Sequence, residues 1–362
     1  MIKNEDIKIT SQMLSIISEI DEFKLTWKFM DKMSVEKIKK LRRVATIESV
    51  GSSNRIEGNK LSDIEIENLL SSLGKESFKS RDEEEAIGYA RLMDTIYDDY
   101  EVIPLTENYI KQLHKILLQY SLKDQRHKGE YKKVSNSVVA YSEDGKEIGV
   151  VFETATPFDT PFRMEELTNW TRKALQDKFI HPLLVIGVFI VEFLAIHPFE
   201  DGNGRLSRAL TSLLLLKTGY MYVPYSSMEA VIEDNKEGYY RALRQTQQTL
   251  NNDKVDLEPW LIFFLKTLQK QKVRLEYKLS HNVDTYSFDN LTELEARILS
   301  FFERESSATL DKIIKYTEEN RNTIKKALQR LVKNNILILH KRGRASWYSL
   351  LNKSVSNYNL KR

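Results

Sequence analysis

Residues 195–210 run Ala-Ile-His-Pro-Phe-Glu-Asp-Gly-Asn-Gly-Arg-Leu-Ser-Arg-Ala-Leu. They gather a proton acceptor (His197), a carboxylate (Asp201), two glycines around an asparagine (Gly202, Asn203, Gly204) and two arginines at i,i+3 (Arg205, Arg208). An imidazole with its ordinary pKa near ~6.5 can take a proton at neutral pH. Glycines let a phosphate approach backbone N–H groups closely, and guanidiniums on one helix face suit a polyphosphate. Asp201 would repel that anion unless a divalent cation lay between them, and one carboxylate plus phosphate oxygens is the usual way to hold Mg²⁺. Taken singly, each residue has a plainer use. A histidine before proline caps a helix or fills a core, Gly-Asn-Gly makes a turn, and aspartate and arginine are surface charges. The combination at this spacing is what points to a base, a metal ligand and a phosphate cradle.

Such a group needs rigid elements on both sides. Residues 181–197 are apolar nearly all round, which predicts a helix in the middle of a domain. Pro198 disfavours the α conformation at His197 and ends that helix there. Residues 198–204 then form a loop, and a second helix runs from Arg205 to a stop at Gly219. The loop therefore feeds a helix N-terminus, where unpaired N–H groups and the helix dipole favour an anion. Glycine and proline are scarce elsewhere, at 13 and 7 residues. Helical spacing of apolar residues predicts helices over 34–58, over 61–73 with Ser62 as cap, over 80–100 and over 106–122, and again from 163 to about 280. Residues 128–156 break the pattern with β-branched residues and a Glu-Asp-Gly-Lys turn at 143–146, which predicts a β-hairpin. Residues 280–290 are polar and aperiodic, and read as a linker.

His197-Pro-Phe-Glu-Asp201-Gly-Asn-Gly-Arg205-Leu-Ser-Arg208 resembles the signature of the Fic family, H-P-F-x-D/E-G-N-G-R-x-x-R, without departure. The resemblance spans roughly residues 35–275. It implies transfer of AMP from ATP to a Ser, Thr or Tyr hydroxyl of a protein target, or of the chain itself, with reversal on the same target left open. It implies His197 as general base, Asp201 as Mg²⁺ ligand, and Gly202, Asn203 and Gly204 as the phosphate cradle. Arg205 and Arg208 would bind the β- and γ-phosphates, with Phe199 as the buried anchor of the loop. The hairpin at 128–156 resembles the family's flap, which takes a target strand by β-addition. Residues 228–246 resemble the segment that closes the adenine pocket, with Asn235, Tyr239 and Tyr240 as its candidates. In relatives that transfer the γ-phosphate instead, lysine stands at the Gly204 position, so Gly204 argues against a kinase-like reaction.

"SSNRIEG" at 52–58 is similar to the family's inhibitory pattern, S/T-x-x-x-E-G/N, with Ser53, Glu57 and Gly58. Ser53 and Glu57 share a helical face, and Gly58 would end the helix. A carboxylate in a last helical turn is disfavoured by the dipole unless a cation compensates it. Arg208 is the expected cation, and an arginine paired with Glu57 cannot grip a γ-phosphate.

The chain carries a charge asymmetry. Residues 291–362 hold 15 lysines and arginines against 7 acidic residues, whereas residues 1–290 hold 40 against 45. The basic part resembles a winged helix-turn-helix of three helices and two strands. Arg321, Asn322, Lys325 and Lys326 would lie at the exposed start of its third helix, and Lys341, Arg342 and Arg344 in its wing. A solvated basic face on a protein-docking module is the alternative use.

The 362 residues, 41% hydrophobic, are enough for two or three domains. No cysteine is present, which excludes disulfides and thiolate metal sites and fits a reducing compartment. The N-terminus lacks a secretory pattern, and the apolar run 182–191 is too short to span a bilayer, so a cytoplasmic protein is expected. The expected architecture is mainly α. It comprises an N-terminal helical segment (1–105), a Fic-type core with a hairpin flap (106–279) and a winged helix-turn-helix domain (291–362). Expected partners are ATP with Mg²⁺, a protein bearing a hydroxyl, duplex DNA and a second copy of the chain, with no membrane. A DNA-binding regulator whose core only senses nucleotide is the competing account.

Overall fold

A computed structural model describes residues 4–28, 34–71, 78–141, 147–250, 252, 254–280, 293–317, 319–333, 337–342 and 345–350. The fold is mainly α. Helices α1 (Ser11–Lys28), α2 (Val35–Ile56), α3 (Asp63–Ser71), α4 (Arg81–Asp99) and α5 (Glu107–Leu117) precede an antiparallel hairpin, β1 (Ser137–Tyr141) and β2 (Glu147–Glu153). Helices α6 (Thr160–Asp177), α7 (Pro182–Ile196), α8 (Asn203–Lys217), α9 (Met228–Glu233), α10 (Lys236–Gln247) and α11 (Glu258–Ser280) follow. The chain then forms α12 (Glu293–Arg304), α13 (Leu310–Thr317), α14 (Arg321–Lys333) and a second hairpin, β3 (Leu337–Arg342) and β4 (Ala345–Leu350). The predicted turn at 143–146 lies outside the described residues.

By contacts the chain divides into two units. One is Met1–Leu61 with Ser72–Val283, and the other is Ser62–Ser71 with Asp284–Arg362. In the first, α7 is the axis, and every residue from Leu183 to Ile196 is buried. A helix this apolar needs neighbours all round, and α6, α8, α10 and α11 supply them. Gly187 lets α11 come close: a Cβ there would meet Leu261 Cδ2 at 2.7 Å, and Trp260 Nε1 donates to the Gly187 carbonyl at 2.7 Å. At the other end, His181 caps α7 through Nδ1 and faces Asp21 of α1 at 2.9 Å. Asp21 also accepts from Tyr220 at 2.6 Å, which fixes α1 to this core.

Helix α2 starts on Ser34, whose hydroxyl accepts from Lys37 N. It ends in a Schellman motif: Gly58 N donates to Arg55 O and Asn59 N to Asn54 O, with Gly58 at φ 99°. That ending makes Glu57 the C-cap residue.

In the second unit, Ile298, Phe302, Ile313, Ile324, Leu328, Leu331 and Leu337 form the core, and Ile64 of α3 joins them. Helix α3 opens with the Ser62–Glu65 capping box and belongs to this unit, although it follows α2 in sequence. Ala308 and Tyr348 exchange two backbone hydrogen bonds, a single antiparallel bridge beside the two-stranded hairpin.

Gly88 of α4 is a point of very close approach. A Cβ there would lie 2.0 Å from the Leu117 carbonyl oxygen at the end of α5. The obstacle is backbone, so it cannot yield as a side chain would. Gly88→Ala is expected to lower stability by about 1–3 kcal/mol, the usual scale of overpacking, and to lower the thermal midpoint. An unchanged midpoint would contradict this packing.

Candidate active site

Residues 197–202 link α7 to α8 through two left-handed residues. His197 has φ 52° and ψ 61°, and Gly202 has φ 79°. For a non-glycine residue this conformation costs about 1–3 kcal/mol and persists only where the surroundings fix it. The surroundings here are specific. Phe199 is fully buried and stacks on His114 of α5, with ring centroids 3.8 Å apart. His114 accepts from Gly129 N on Nδ1 (2.9 Å), so its Nε2–H donates to the Asp201 carbonyl (2.9 Å). A Cβ at Gly202 would press on Leu117 at 3.0 Å, so the residue that turns the chain also has no room for a side chain. Asn203 is buried, and its amide is engaged at both ends by Phe199, accepting from N at 2.9 Å and donating to O at 2.7 Å. The Asn203 side chain thus ties the loop to itself.

The His197 Nδ1 faces the Leu194 carbonyl at 3.4 Å. A carbonyl can only accept, so Nδ1 carries the hydrogen and Nε2 keeps a lone pair. Burial lowers the His197 pKa to about 4, and the Lys132 charge adds to that effect. The imidazole is therefore neutral at physiological pH, with part of its surface still accessible.

The charged groups interlock. Arg205 faces Asp201 through Nη2 at 3.1 Å and Glu85 through Nη1 at 3.2 Å. Arg81 bridges the same two carboxylates, at 2.7 Å to Glu85 and 3.0 Å to Asp201. Burial raises the Asp201 pKa, but Arg205, the Gly202 N–H and Arg81 outweigh it and hold the carboxyl below its usual range. Arg208 is buried and donates to Ser53 Oγ (2.9 Å), Ser53 O (2.9 Å) and Glu57 Oε1 (2.9 Å). Burial opposes its charge, and Glu57 more than restores it. Glu57 also fills the space above Gly204, where a Cβ would lie 2.2 Å from Oε1. Even so, Arg205 Nε and Arg208 Nη1 are buried without a hydrogen-bond partner. Buried guanidinium N–H groups left unmet are what an anionic ligand would take up.

Among the described residues no group of three or more histidines or acids could hold a metal by itself. Asp201, an ionised oxygen ligand, suits Mg²⁺ only together with phosphate oxygens and with Arg81 displaced. Tyr239 is built into the core against Trp260 and Phe263. Tyr240 lies against it, with its hydroxyl 3.5 Å from the Ile56 carbonyl, and Asn235 is exposed and folded over Gly238. In the C-terminal unit Asn322, Lys325, Lys326 and Lys341 are exposed, and Arg321, also exposed, is paired with Asp311 at 2.7 Å. Arg342 ends β3, and Arg344 lies outside the described residues. Sequence reasoning missed His114, Arg81, Glu85 and Lys132. Only the Arg81–Glu85 spacing of four left a signal, and it matches any surface helix pair.

Residues 104–215 match the Fic/DOC family, and residues 291–357 match the penicillinase repressor family. The protein adenylyltransferase Fic of Aedes aegypti is 24% identical over 278 residues, 75% of this chain and 50% of that protein. The chain spans half or less of the curated relatives it matches. Among solved structures, a Fic family protein from Desulfovibrio desulfuricans has a TM-score of 0.60 at 22% identity, covering 95% of this chain and 97% of that one. A Fic domain containing signaling protein from Bacteroides thetaiotaomicron has a TM-score of 0.59 at 23% identity, covering 76% and 99%. At these identities the likeness to the two structures is one of fold. No described helix is long and apolar enough to cross a membrane.

The buried His114 and the half-buried His197 give the site a pH signature. Burial lowers both His114 and His197 to about 4. The unfolded chain, with histidines near ~6.5, binds more protons between those values, so stability is complete above about 6.5 and falls as pH drops toward 4. Unfolding midpoints measured across that window should show the fall, and His114→Gln should flatten it. An unchanged slope in the variant would contradict the buried neutral state of His114.

Proposed function

We propose that this chain, which carries a Fic domain at residues 104–215 and a winged-helix domain at its C-terminal end, is a protein adenylyltransferase held in check by Glu57. The observation that carries this reading is the pair of buried arginines on α8. Each keeps a buried guanidinium nitrogen without a hydrogen-bond partner, Nε of Arg205 and Nη1 of Arg208, beside a histidine whose Nε2 carries a lone pair. That combination suits an incoming hydroxyl on one side and a polyphosphate on the other.

In the forward reaction the target hydroxyl oxygen attacks the α-phosphorus of ATP. The new O–Pα bond forms, the bond from Pα to the bridging oxygen breaks, and pyrophosphate leaves. His197 Nε2 takes the hydroxyl proton and later yields it to solvent. Arg205, Arg208 and the first N–H groups of α8 would meet the phosphates. Asp201 would hold Mg²⁺, which supplies charge neutralisation on the phosphates. The β1–β2 hairpin offers an edge for a target strand, and Tyr240 and Asn235 are candidates for the rim of the base pocket.

Glu57 acts by occupying the anion's place. Its carboxylate pairs with Arg208 and covers Gly204 at the start of α8, the two features a terminal phosphate would use. The C-cap position imposed by Gly58 sets its reach. For the winged-helix domain, the exposed Lys325, Lys326 and Lys341 support contact with duplex DNA.

Two outcomes test these readings. With ATP labelled on the α-phosphate, the chain should label itself, and His197→Ala should reduce labelling by about two to four orders of magnitude while ATP still binds. Label from the γ-phosphate would mean phosphotransfer, and no label from either position would leave a nucleotide sensor. In the full-length chain, Lys325→Glu/Lys326→Glu should weaken duplex DNA binding and lower the steepness of its salt dependence by about one per lost phosphate contact. Equal binding by both proteins would leave the basic face as a protein-docking surface.

A further inference from the structure

Among the described residues a single lysine is buried, Lys132, 2% exposed. It lies in the segment leading into the hairpin, away from the signature residues in sequence. A buried ammonium must have all three N–H groups met. Lys132 Nζ donates to Asn136 Oδ1 (2.8 Å), Thr154 Oγ1 (2.8 Å) and the Ile196 carbonyl (3.0 Å). Its backbone N–H donates to the Pro198 carbonyl at 2.9 Å. Asn136 completes the set by donating from Nδ2 to the Phe199 carbonyl at 3.0 Å, and the Thr154 hydroxyl donates to the Asn136 carbonyl at 2.6 Å.

These bonds have a common geometry. Asn136 stands directly before β1 and Thr154 directly after β2, so the two form the neck of the hairpin. The carbonyls of 196, 198 and 199 flank His197 on both sides. Lys132 therefore joins the neck of the hairpin to the left-handed bend that carries the imidazole. That bend is costly and needs fixing from outside, and no signature residue supplies a bond to the Ile196 or Pro198 carbonyl among the contacts of the described residues.

We propose that Lys132 is the positioning residue for the His197 base. Its ammonium holds the hairpin neck and the histidine bend in one register, so that a target strand seated on the hairpin meets the imidazole at a fixed distance. The inference rests on the adenylyl-transfer reading and adds to it a residue outside the signature. Its charge has a second effect. Burial is the larger cause of the low His197 pKa and Lys132 the next, while the Leu194 carbonyl, Glu57 and Asp201 act in the opposite direction. A nearby cation weakens the base, so Lys132 can help the reaction only through placement. The two contributions therefore separate on substitution.

The test measures self-labelling with α-labelled ATP across pH in a Glu57→Gly background, with His197→Ala as control. Lys132→Met removes the bonds and the charge. The rate should fall about 10- to 100-fold, the scale of a misplaced reacting group, with the KM for ATP unchanged. The acid limb should move up from the parent's by about one unit, as expected when one neighbouring cation is lost. Lys132→Arg should keep the parent's acid limb and recover part of the rate. Asn136→Leu cuts the neck from Phe199 without touching the charge, and should lower the rate with no shift of the limb. It also keeps the proposal testable if Lys132→Met does not fold. Parent rates in both Lys132→Met and Asn136→Leu would overturn the proposal, as would equal losses in Lys132→Met and Lys132→Arg with an unmoved limb. Persisting label in His197→Ala would instead remove the base reading itself.

Discussion

The site turns on where the buried Arg208 guanidinium directs its charge. A guanidinium this deep needs an acceptor of opposite charge, because burial alone would make its ionised state expensive. Here Glu57, the C-cap residue of α2, supplies the charge, and the Ser53 hydroxyl and carbonyl in the last turn of α2 add neutral acceptors. The same arginine lies in the second turn of α8, with its Nη1 beside Gly204 in the first turn, where backbone N–H groups also favour an anion. Two independent preferences for negative charge thus converge on one small volume, which a side-chain carboxylate already fills. On the proposed reading a terminal phosphate would compete with Glu57 for that volume, at the contact of α2 with α8.

The loop before α8 is organised by its backbone as much as by its side chains. His197 and Gly202 supply two left-handed turns, and the groups that hold them are spread along the chain: His114 on α5, Asn203 on α8, Lys132 ahead of the hairpin. Each makes its bonds to main-chain atoms of the loop. The His197 Nε2 lone pair, Arg205 Nε and Arg208 Nη1 are thereby left without a hydrogen-bond partner among the described residues, while the Asp201 carboxylate is shared by Arg205 and Arg81. The Gly88 contact with Leu117 belongs to the same construction, since it seats α5, and with it His114, against the loop.

Much of this was legible in the sequence because it is local. The all-round apolar run of α7, the Pro198 stop, the Ser62 cap of α3 and the Gly58 end of α2 each depend on neighbours within a turn or two, and each lies where those signals place it. The signature residues were legible because the loop confines them to a dozen positions. What escaped was long-range. Nothing near Lys132 or His114 in sequence marks them as partners of a loop more than 60 residues away. The direction of the Asn203 amide was equally hidden, since an asparagine between glycines serves a phosphate or its own loop equally well. Helix α3 was foreseen, but not that its Ile64 enters the C-terminal core, because an apolar helix face does not say which surface will cover it.

The most direct test of the account is a double-mutant cycle on Glu57 and Arg208, read as the initial rate of self-labelling from α-labelled ATP. Four proteins are compared: wild type, Glu57→Gly, Arg208→Ala and the double variant. If the carboxylate and a terminal phosphate compete for one guanidinium, Glu57→Gly raises the rate by about tenfold or more, the common range of coupling between two sites. The gain then disappears when Arg208 is also removed. A Glu57→Gly rate equal to wild type, or a gain that survives the loss of Arg208, would contradict it.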